Sequence, residues 1–178
     1  LFTLIYFILD DFTKYITHTF MHKIPVLWEF HKTHHSARTL TPLTIFRTHP
    51  VEGVIFILRS AITQGIVIAF FFYIYGDNIT LVTILGANIF SFWFHLLGSN
   101  LRHSHIKINY WNWLEKILIS PAQHQIHHSI KEEHHNKNFG VTFALWDYFF
   151  GSLYISKKEK VKFGISKKIY KNENNILQ

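Results

Sequence analysis

Two long apolar stretches joined by three residues constrain this chain more than any other feature of its sequence. The first, Val54–Tyr75 (VIFILRSAITQGIVIAFFFYIY), is interrupted only by Arg59 and Gln64; the second, Ile79–Leu97 (ITLVTILGANIFSFWFHLL), carries the small residues Gly86, Ala87 and Ser91. Crossing the hydrocarbon core of a bilayer takes ~20 mostly apolar residues in a helix, and both stretches reach that length. Arg59, near the start of its stretch, can snorkel toward the headgroups. Because only Gly76-Asp77-Asn78 separates the two, they are expected to form an antiparallel hairpin with close contact at the small residues. Two buried helices of a soluble bundle are the alternative. A further apolar run, Leu1–Leu9 (LFTLIYFIL), has neither a basic lead nor a cleavage site. It reads as the end of a hydrophobic membrane helix whose N-terminal part is truncated, not as a signal peptide.

Charge placement orients the hairpin. Lys14, Lys23, Lys32, Arg38 and Arg47 precede it, Arg102, Lys107 and Lys116 follow it, and the turn has no Lys or Arg. The positive-inside rule therefore puts both flanks in the cytoplasm. A net charge of +7 admits nucleic acid or an anionic membrane surface as partner; the apolar stretches argue for the membrane and against nucleic acid. Charged residues make up 16% of the chain, against roughly 25% in ordinary domains, which excludes disorder for most of it. Tyr110–Ser120 (YWNWLEKILIS) sets Trp113, Leu114, Ile117 and Leu118 on one helical stripe with Trp111 beside it. This predicts a short helix at the membrane interface or, alternatively, packed on the cytoplasmic part. Residues 156–178 are Lys-rich and are expected to be a solvated tail that partly caps a domain of residues 1–155 and touches anionic lipid.

Chemistry resides in the histidines: 14 of 178 residues, with no Cys. The absence of Cys excludes disulfides, Cys-ligated zinc and iron–sulfur clusters. Thirteen of the histidines lie in the two flanks, residues 18–49 and 103–135. His18 and His22 stand at i, i+4, one face of a helix, so both imidazoles can reach one metal. Asp11 and Tyr15 continue that face, and Asp11 is a candidate to orient a ligand imidazole through its second nitrogen. His31-Lys32-Thr33-His34-His35 and His124-Gln125-Ile126-His127-His128 both have the form HxxHH. On a helix the first His is one turn from both members of the pair, which diverge from each other by ~100°. Such a cluster can offer imidazoles to two neighbouring metal ions. His103 and His105, just beyond the second span, bring the candidates to ten, and His95, two turns earlier, is the alternative to one of them. His134 and His135 follow Glu132-Glu133 on a polar run and are expected at the surface or outside the ligand set. His49, before Pro50, is expected to hydrogen-bond a helix start.

Ten nitrogen ligands suit two metals with open positions and exceed what one catalytic zinc uses. Imidazole sites of this kind take Zn, Cu, Fe or Ni, and open all-His sites can support iron–oxygen chemistry. No Ser sits in a G-x-S-x-G setting and the eight Gly do not cluster, so nucleophile elbows, phosphate loops and nicotinamide fingerprints are lacking. No segment reads as a haem electron carrier, so electrons are expected from outside. A transporter would place ionisable ligands within its spans, where only His95 stands. A zinc hydrolase and a catalytically silent protein of the same kind are further alternatives.

The series D-F-x-x-Y-x-x-H-x-x-x-H at Asp11–His22, HKTHHS at His31–Ser36, FRTHP at Phe46–Pro50, SPAQHQIHHS at Ser120–Ser129, NKNFG at Asn136–Gly140 and LWDYFFGSLY at Leu145–Tyr154 resembles the fatty acid hydroxylase/sterol desaturase superfamily of integral-membrane di-iron oxygenases. The resemblance covers residues 10–155. It implies an all-α protein, a membrane hairpin with a cytoplasmic helical cap holding a poly-histidine di-metal site. It also implies two iron ions, O2 as co-substrate, a lipid substrate that is hydroxylated or desaturated at an unactivated C–H bond, and an external electron-transfer protein. Residue by residue, it assigns His18, His22, His31, His34, His35, His124, His127 and His128 as iron ligands. Gly98-Ser99-Asn100 stands where many relatives show His-Ser-Asn, so His103 and His105 take the middle positions. Asn138 and Asp147 match positions that support the ligands, and Trp146 and Phe149 match packing positions.

Overall fold

The computed structural model describes residues 1–76, 80–157 and 160–165, with side chains at all of these but 90 and 97–100. The described residues are mostly helical: α1 (Phe2–Lys23), α2 (Pro25–His35), α3 (Pro50–Tyr75), α4 (Leu81–Arg102), α5 (Pro121–His127) and α6 (Leu145–Phe149). Short 3₁₀ turns lie at Pro42–Phe46, Leu114–Lys116 and Glu132–His134. Among the described residues there are no strands, only isolated bridges pairing Leu118 with Phe143 and Ser129 with Phe163.

Proline sets most of the boundaries. All four prolines open a helix, Pro25, Pro50 and Pro121 an α-helix and Pro42 a 3₁₀ turn. The residue before each (Ile24, Thr41, His49, Ser120) is extended, because proline disfavours the helical conformation in its predecessor and is tolerated at a first helical position. Ile24 thereby breaks what would be one long helix into α1 and α2. Ser120 and Gln123 cap α5 reciprocally: the Ser120 hydroxyl accepts from the Gln123 N–H, and the Gln123 side chain accepts from the Ser120 N–H.

Among the described residues, Pro50–Tyr75 is the helix long and apolar enough to cross a membrane, while the apolar part of α4, Leu81–Leu96, is shorter. Of the turn expected at Gly76-Asp77-Asn78, only Gly76 falls among the described residues. The run Leu1–Leu9 forms the first turns of α1, which packs against both α3 and α4. Phe2 and Tyr6 bury themselves against Val67 and Phe71 of α3 and Ala87 of α4.

A polar layer follows at the next turns of α1. Asp10 accepts from Arg59 Nη1 at 2.8 Å and from Lys14 Nζ at 2.7 Å. Arg59 also donates to Thr13 Oγ1, and Lys14 Nζ lies 2.7 Å from His95 Nε2. Arg59, expected to reach outward to headgroups, is thus turned inward, because a carboxylate on the facing helix offers a better partner than a long climb to water. The layer pins α1 to both of its neighbours, one turn of α1 before His18.

The stripe in Tyr110–Ser120 does not give a helix beyond the turn Leu114–Lys116. Glu115 is fully buried, and its carboxylate collects the Tyr110 N–H, the Ser120 hydroxyl, and the Ser156 N–H and hydroxyl. Satisfying a buried carboxylate from both sides of the chain outweighs continuing a helix. Residues 160–165 return to the body, where the Ile130 N–H donates to the Lys162 carbonyl. The expected tail from 166 onward lies outside the described residues.

Candidate metal centre

Nine imidazoles from four places in the chain converge in two groups. One holds His18, His22, His31, His35 and His127; the other holds His34, His103, His124 and His128. Within each group the nitrogens offered lie within 4.8 Å of one another. Helical spacing explains the division. His18 and His22 are one turn apart on α1, and His31 and His35 one turn apart on α2, so all four face the first group. His34, about 100° away on α2, faces the second. At the end of α5, His124 and His128 point to the second group and His127 to the first. His103, at the C-terminal end of α4, completes the second.

Several rings are fixed through their outer nitrogen. His18 Nδ1 lies 2.8 Å from the Phe139 carbonyl and His127 Nδ1 2.9 Å from the Lys137 carbonyl. His31 Nδ1 lies 2.9 Å from Glu52 Oε1. Each acceptor requires a proton on Nδ1, which leaves the Nε2 lone pair pointing inward, the tautomer a metal ligand needs. Burial holds these imidazoles neutral: it lowers His31 to about 3 and His34 to about 4, and it drives His35, His124, His127 and His128 well below the ordinary imidazole value.

The donor set fits metal ions. His22 Nε2, His35 Nε2, His127 Nε2 and both nitrogens of His128 are buried without a hydrogen-bond partner, an arrangement that a folded protein pays for unless something binds there. Facing nitrogens are close: His18 and His31 Nε2 are 3.2 Å apart, His34 and His103 Nε2 3.1 Å, and His103 and His124 Nε2 2.9 Å. Two nitrogens bound at about 2.1 Å and at right angles would stand about 3.0 Å apart. Among the described residues no carboxylate belongs to either group, and an all-imidazole set suits Zn, Cu, Fe or Ni, whereas Mg and Ca call for oxygen donors.

Other candidates fall elsewhere. His105 is exposed and lies outside both groups: α4 ends at Arg102, and two residues past a helix end the chain has turned, so His103 and His105 do not share a direction. His95 partners Lys14. His49 caps α3, its Nδ1 accepting the Val51 N–H. His134 is buried against the Tyr154 ring, 5.0 Å between centroids, not at the surface; His135 is exposed. The side chains of Gly98-Ser99-Asn100 lie outside the described residues.

Asp11 does not reach an imidazole through its carboxylate. It accepts the Thr142 and Phe143 N–H groups and the Trp146 indole N–H, tying the C-terminal segment to α1. Asp147 accepts the Phe139 and Gly140 N–H groups and the Ser152 hydroxyl. Asn138, at φ +55°, bonds the Gln123 carbonyl and both backbone groups of Tyr154. Asn138 and Asp147 therefore fix the 137–140 turn, whose carbonyls anchor His127 and His18. Trp146 is held as described, whereas Phe149 is 69% exposed and meets the exposed Tyr148 ring edge-on at 5.7 Å. Glu52 was missed in the sequence; its signal was a lone carboxylate in the first turn of the apolar helix after FRTHP.

A cavity of about 240 Å³ opens onto the first group. His22, His35 and His127 form its inner wall, with Trp28, Ile130, His135 and Ile165 around them.

The family model for fatty acid hydroxylase matches residues 3–152. Curated relatives include alkylglycerol monooxygenase of Homo sapiens, 26% identical over 156 residues, and that of Xenopus tropicalis, 26% identical over 165 residues. Alkylglycerol monooxygenase of Danio rerio is 24% identical over 156 residues. Each alignment covers 88% of this chain and 31% of the relative; the chain spans about a third of the length of the curated relatives it matches. No solved structure matches it.

Proposed function

The chain belongs to the fatty acid hydroxylase family, and from that premise we propose that it is the catalytic part of a membrane-bound oxygenase that hydroxylates a C–H bond of a lipid. The observation that carries this reading is the convergence of nine imidazoles in two groups that contain no carboxylate among the described residues. His18, His22, His31, His35 and His127 would hold one iron, and His34, His103, His124 and His128 the other. Bound there, two irons supply reduction of O2 and cleavage of an unactivated C–H bond, with one oxygen atom going to the lipid and one to water. That balance takes two electrons and two protons, which we assign to an external electron-transfer protein.

This chain's own residues do the rest. The Phe139 and Lys137 carbonyls and Glu52 aim Nε2 of His18, His127 and His31 inward. Burial keeps the rings neutral and the strongly oxidising chemistry away from bulk water. The cavity at His22, His35 and His127 gives small molecules a way to the first group. The apolar helices beside the groups support a substrate drawn from the bilayer. The Lys and Arg of both flanks support a cytoplasmic face for the site.

The test is oxygen uptake by iron-loaded protein reduced in the presence of lipid, with the products weighed by mass spectrometry. A gain of one oxygen atom per product molecule supports hydroxylation. Loss of two hydrogens would make the protein a desaturase, and hydrolysis without oxygen uptake would overturn the proposal.

A further inference from the structure

Exposed aromatic side chains flank the Leu118–Phe143 bridge on both sides. Trp111 and Trp113 come before it, rings parallel and 6.2 Å apart; Tyr148, Phe149 and Phe150 come after it. All five are 56–71% exposed, which marks a contact surface and not a core.

Ring contacts set the height of this surface along the helices. Phe143 meets Phe7 of α1 edge-on at 6.0 Å, and Phe7 meets Phe94 of α4 at 4.9 Å. Phe94 lies in the last turn of the apolar part of α4. Phe150 stacks on Phe12 and Tyr15, 6.2 and 5.6 Å away, so the surface ends just short of His18. Leu118 and Tyr110, next to the tryptophans, share a small cavity with Phe94 and Leu101 of α4. The aromatic surface therefore spans the level where the apolar turns give way to the histidine layer. On α3, Ile62 and Ile66 are equally exposed.

We propose that Trp111, Trp113 and Tyr148–Phe150 form a collar seated at the boundary between headgroups and acyl chains, a lipid contact separate from the membrane helices. Trp and Tyr favour this depth because they pair an apolar body with a polar handle, and the exposed Lys116 beside them suits anionic headgroups. The collar holds the two histidine groups at a fixed height above the bilayer. The inference rests on the membrane reading given above, not on catalysis.

The chain has no Cys, so single-cysteine variants can carry a nitroxide at chosen points. Trp113→Cys and Phe149→Cys are compared with Ile62→Cys on α3 and Glu133→Cys on the histidine-bearing part, all in vesicles of phosphatidylcholine and phosphatidylglycerol. Collision with oxygen, which concentrates in hydrocarbon, is set against collision with a water-soluble nickel chelate. The expected oxygen-to-nickel ratio at 113 and 149 is several-fold above that at 133 and approaches that at 62. Labels at 113 and 149 that behave like 133 would overturn the collar, as would labels shielded from both reagents, which would mean that protein covers the surface. If 62 itself reads as aqueous, the membrane reading fails first and the collar with it. Tryptophan quenching by brominated acyl chains, weakened in a Trp111→Phe/Trp113→Phe variant, checks the result without a label.

Discussion

Nδ1 of His31 lies 2.9 Å from Oε1 of Glu52, with both side chains almost fully buried. This contact joins the histidine-bearing α2 to the first turn of the apolar α3. Among the described residues it is the one place where a carboxylate touches the first group of imidazoles, and it does so from outside, through the far side of a ring. Partners of this kind hold a ligand's tautomer and orientation.

Replacing Glu52 should therefore weaken metal binding without removing a ligand. Glu52→Ala is expected to lower metal affinity about 10- to 100-fold, while Glu52→Gln, which still accepts a hydrogen bond, loses less. Metal titration of the stripped protein followed by competition with a chelator measures both. Equal affinity in all three proteins would show that the contact only packs α2 on α3.

His127 and His134 separate ligation from burial. Both are buried, but His127 belongs to the first group and His134 packs on Tyr154. His127→Ala should lose metal from the first group. His134→Ala should keep its metal and unfold about 1–3 kcal/mol more easily. Metal analysis beside a denaturation curve distinguishes the two; loss of metal in both variants would contradict the division.

At Gly140 an added Cβ would meet the Phe143 carbonyl oxygen at 2.6 Å, Asp147 Oδ2 at 2.7 Å and Ile119 Cγ1 at 2.9 Å. One of these neighbours, Asp147, is held by the hydrogen bonds that fix the 137–140 turn. Gly140→Ala should destabilise the fold by about 1–3 kcal/mol and disturb His18 and His127, whose acceptors lie in that turn. Melting temperature and metal content should fall together. Unchanged values for both would mean that the turn gives way without moving its carbonyls.

Acid should act in one direction. Burial lowers His31 to about 3 and His34 to about 4 in the folded chain, against ~6.5 when unfolded. Below that unfolded value the unfolded chain takes up protons that the folded chain refuses, so stability is full above about pH 6.5 and falls as pH drops toward about 4 and 3. Melting of the metal-stripped protein should move to lower temperature between about pH 7 and 5, and a rise over that range would contradict it.

Much of the centre was legible because helical geometry turns spacing into direction. HxxxH in α1 and HxxHH in α2 and α5 already imply that some rings share a face and that neighbours diverge, and the structure divides them between two groups along those lines. What was not legible depends on how the chain turns between elements. Nothing in N-L-R-H-S-H says that α4 stops at Arg102 and sends His103 inward and His105 out. Asp11 lies on the histidine stripe, yet its oxygens go to backbone N–H groups of residues 142 and 143, distant in sequence. The Lys137 and Phe139 carbonyls leave no trace in residue identity, and Glu52 reads as an isolated charge until α3 is laid beside α2. Amphipathic spacing misled at Tyr110–Ser120, where a buried Glu115 demanded a tight turn.

The count of metal ions is the most direct test of the central claim. Protein prepared with iron and freed of loosely bound metal should contain two irons per chain by mass spectrometry. His128→Ala in the second group and His127→Ala in the first should each fall to about one. No bound metal, or a single ion lost completely in both variants, would contradict two groups of imidazoles holding one ion each.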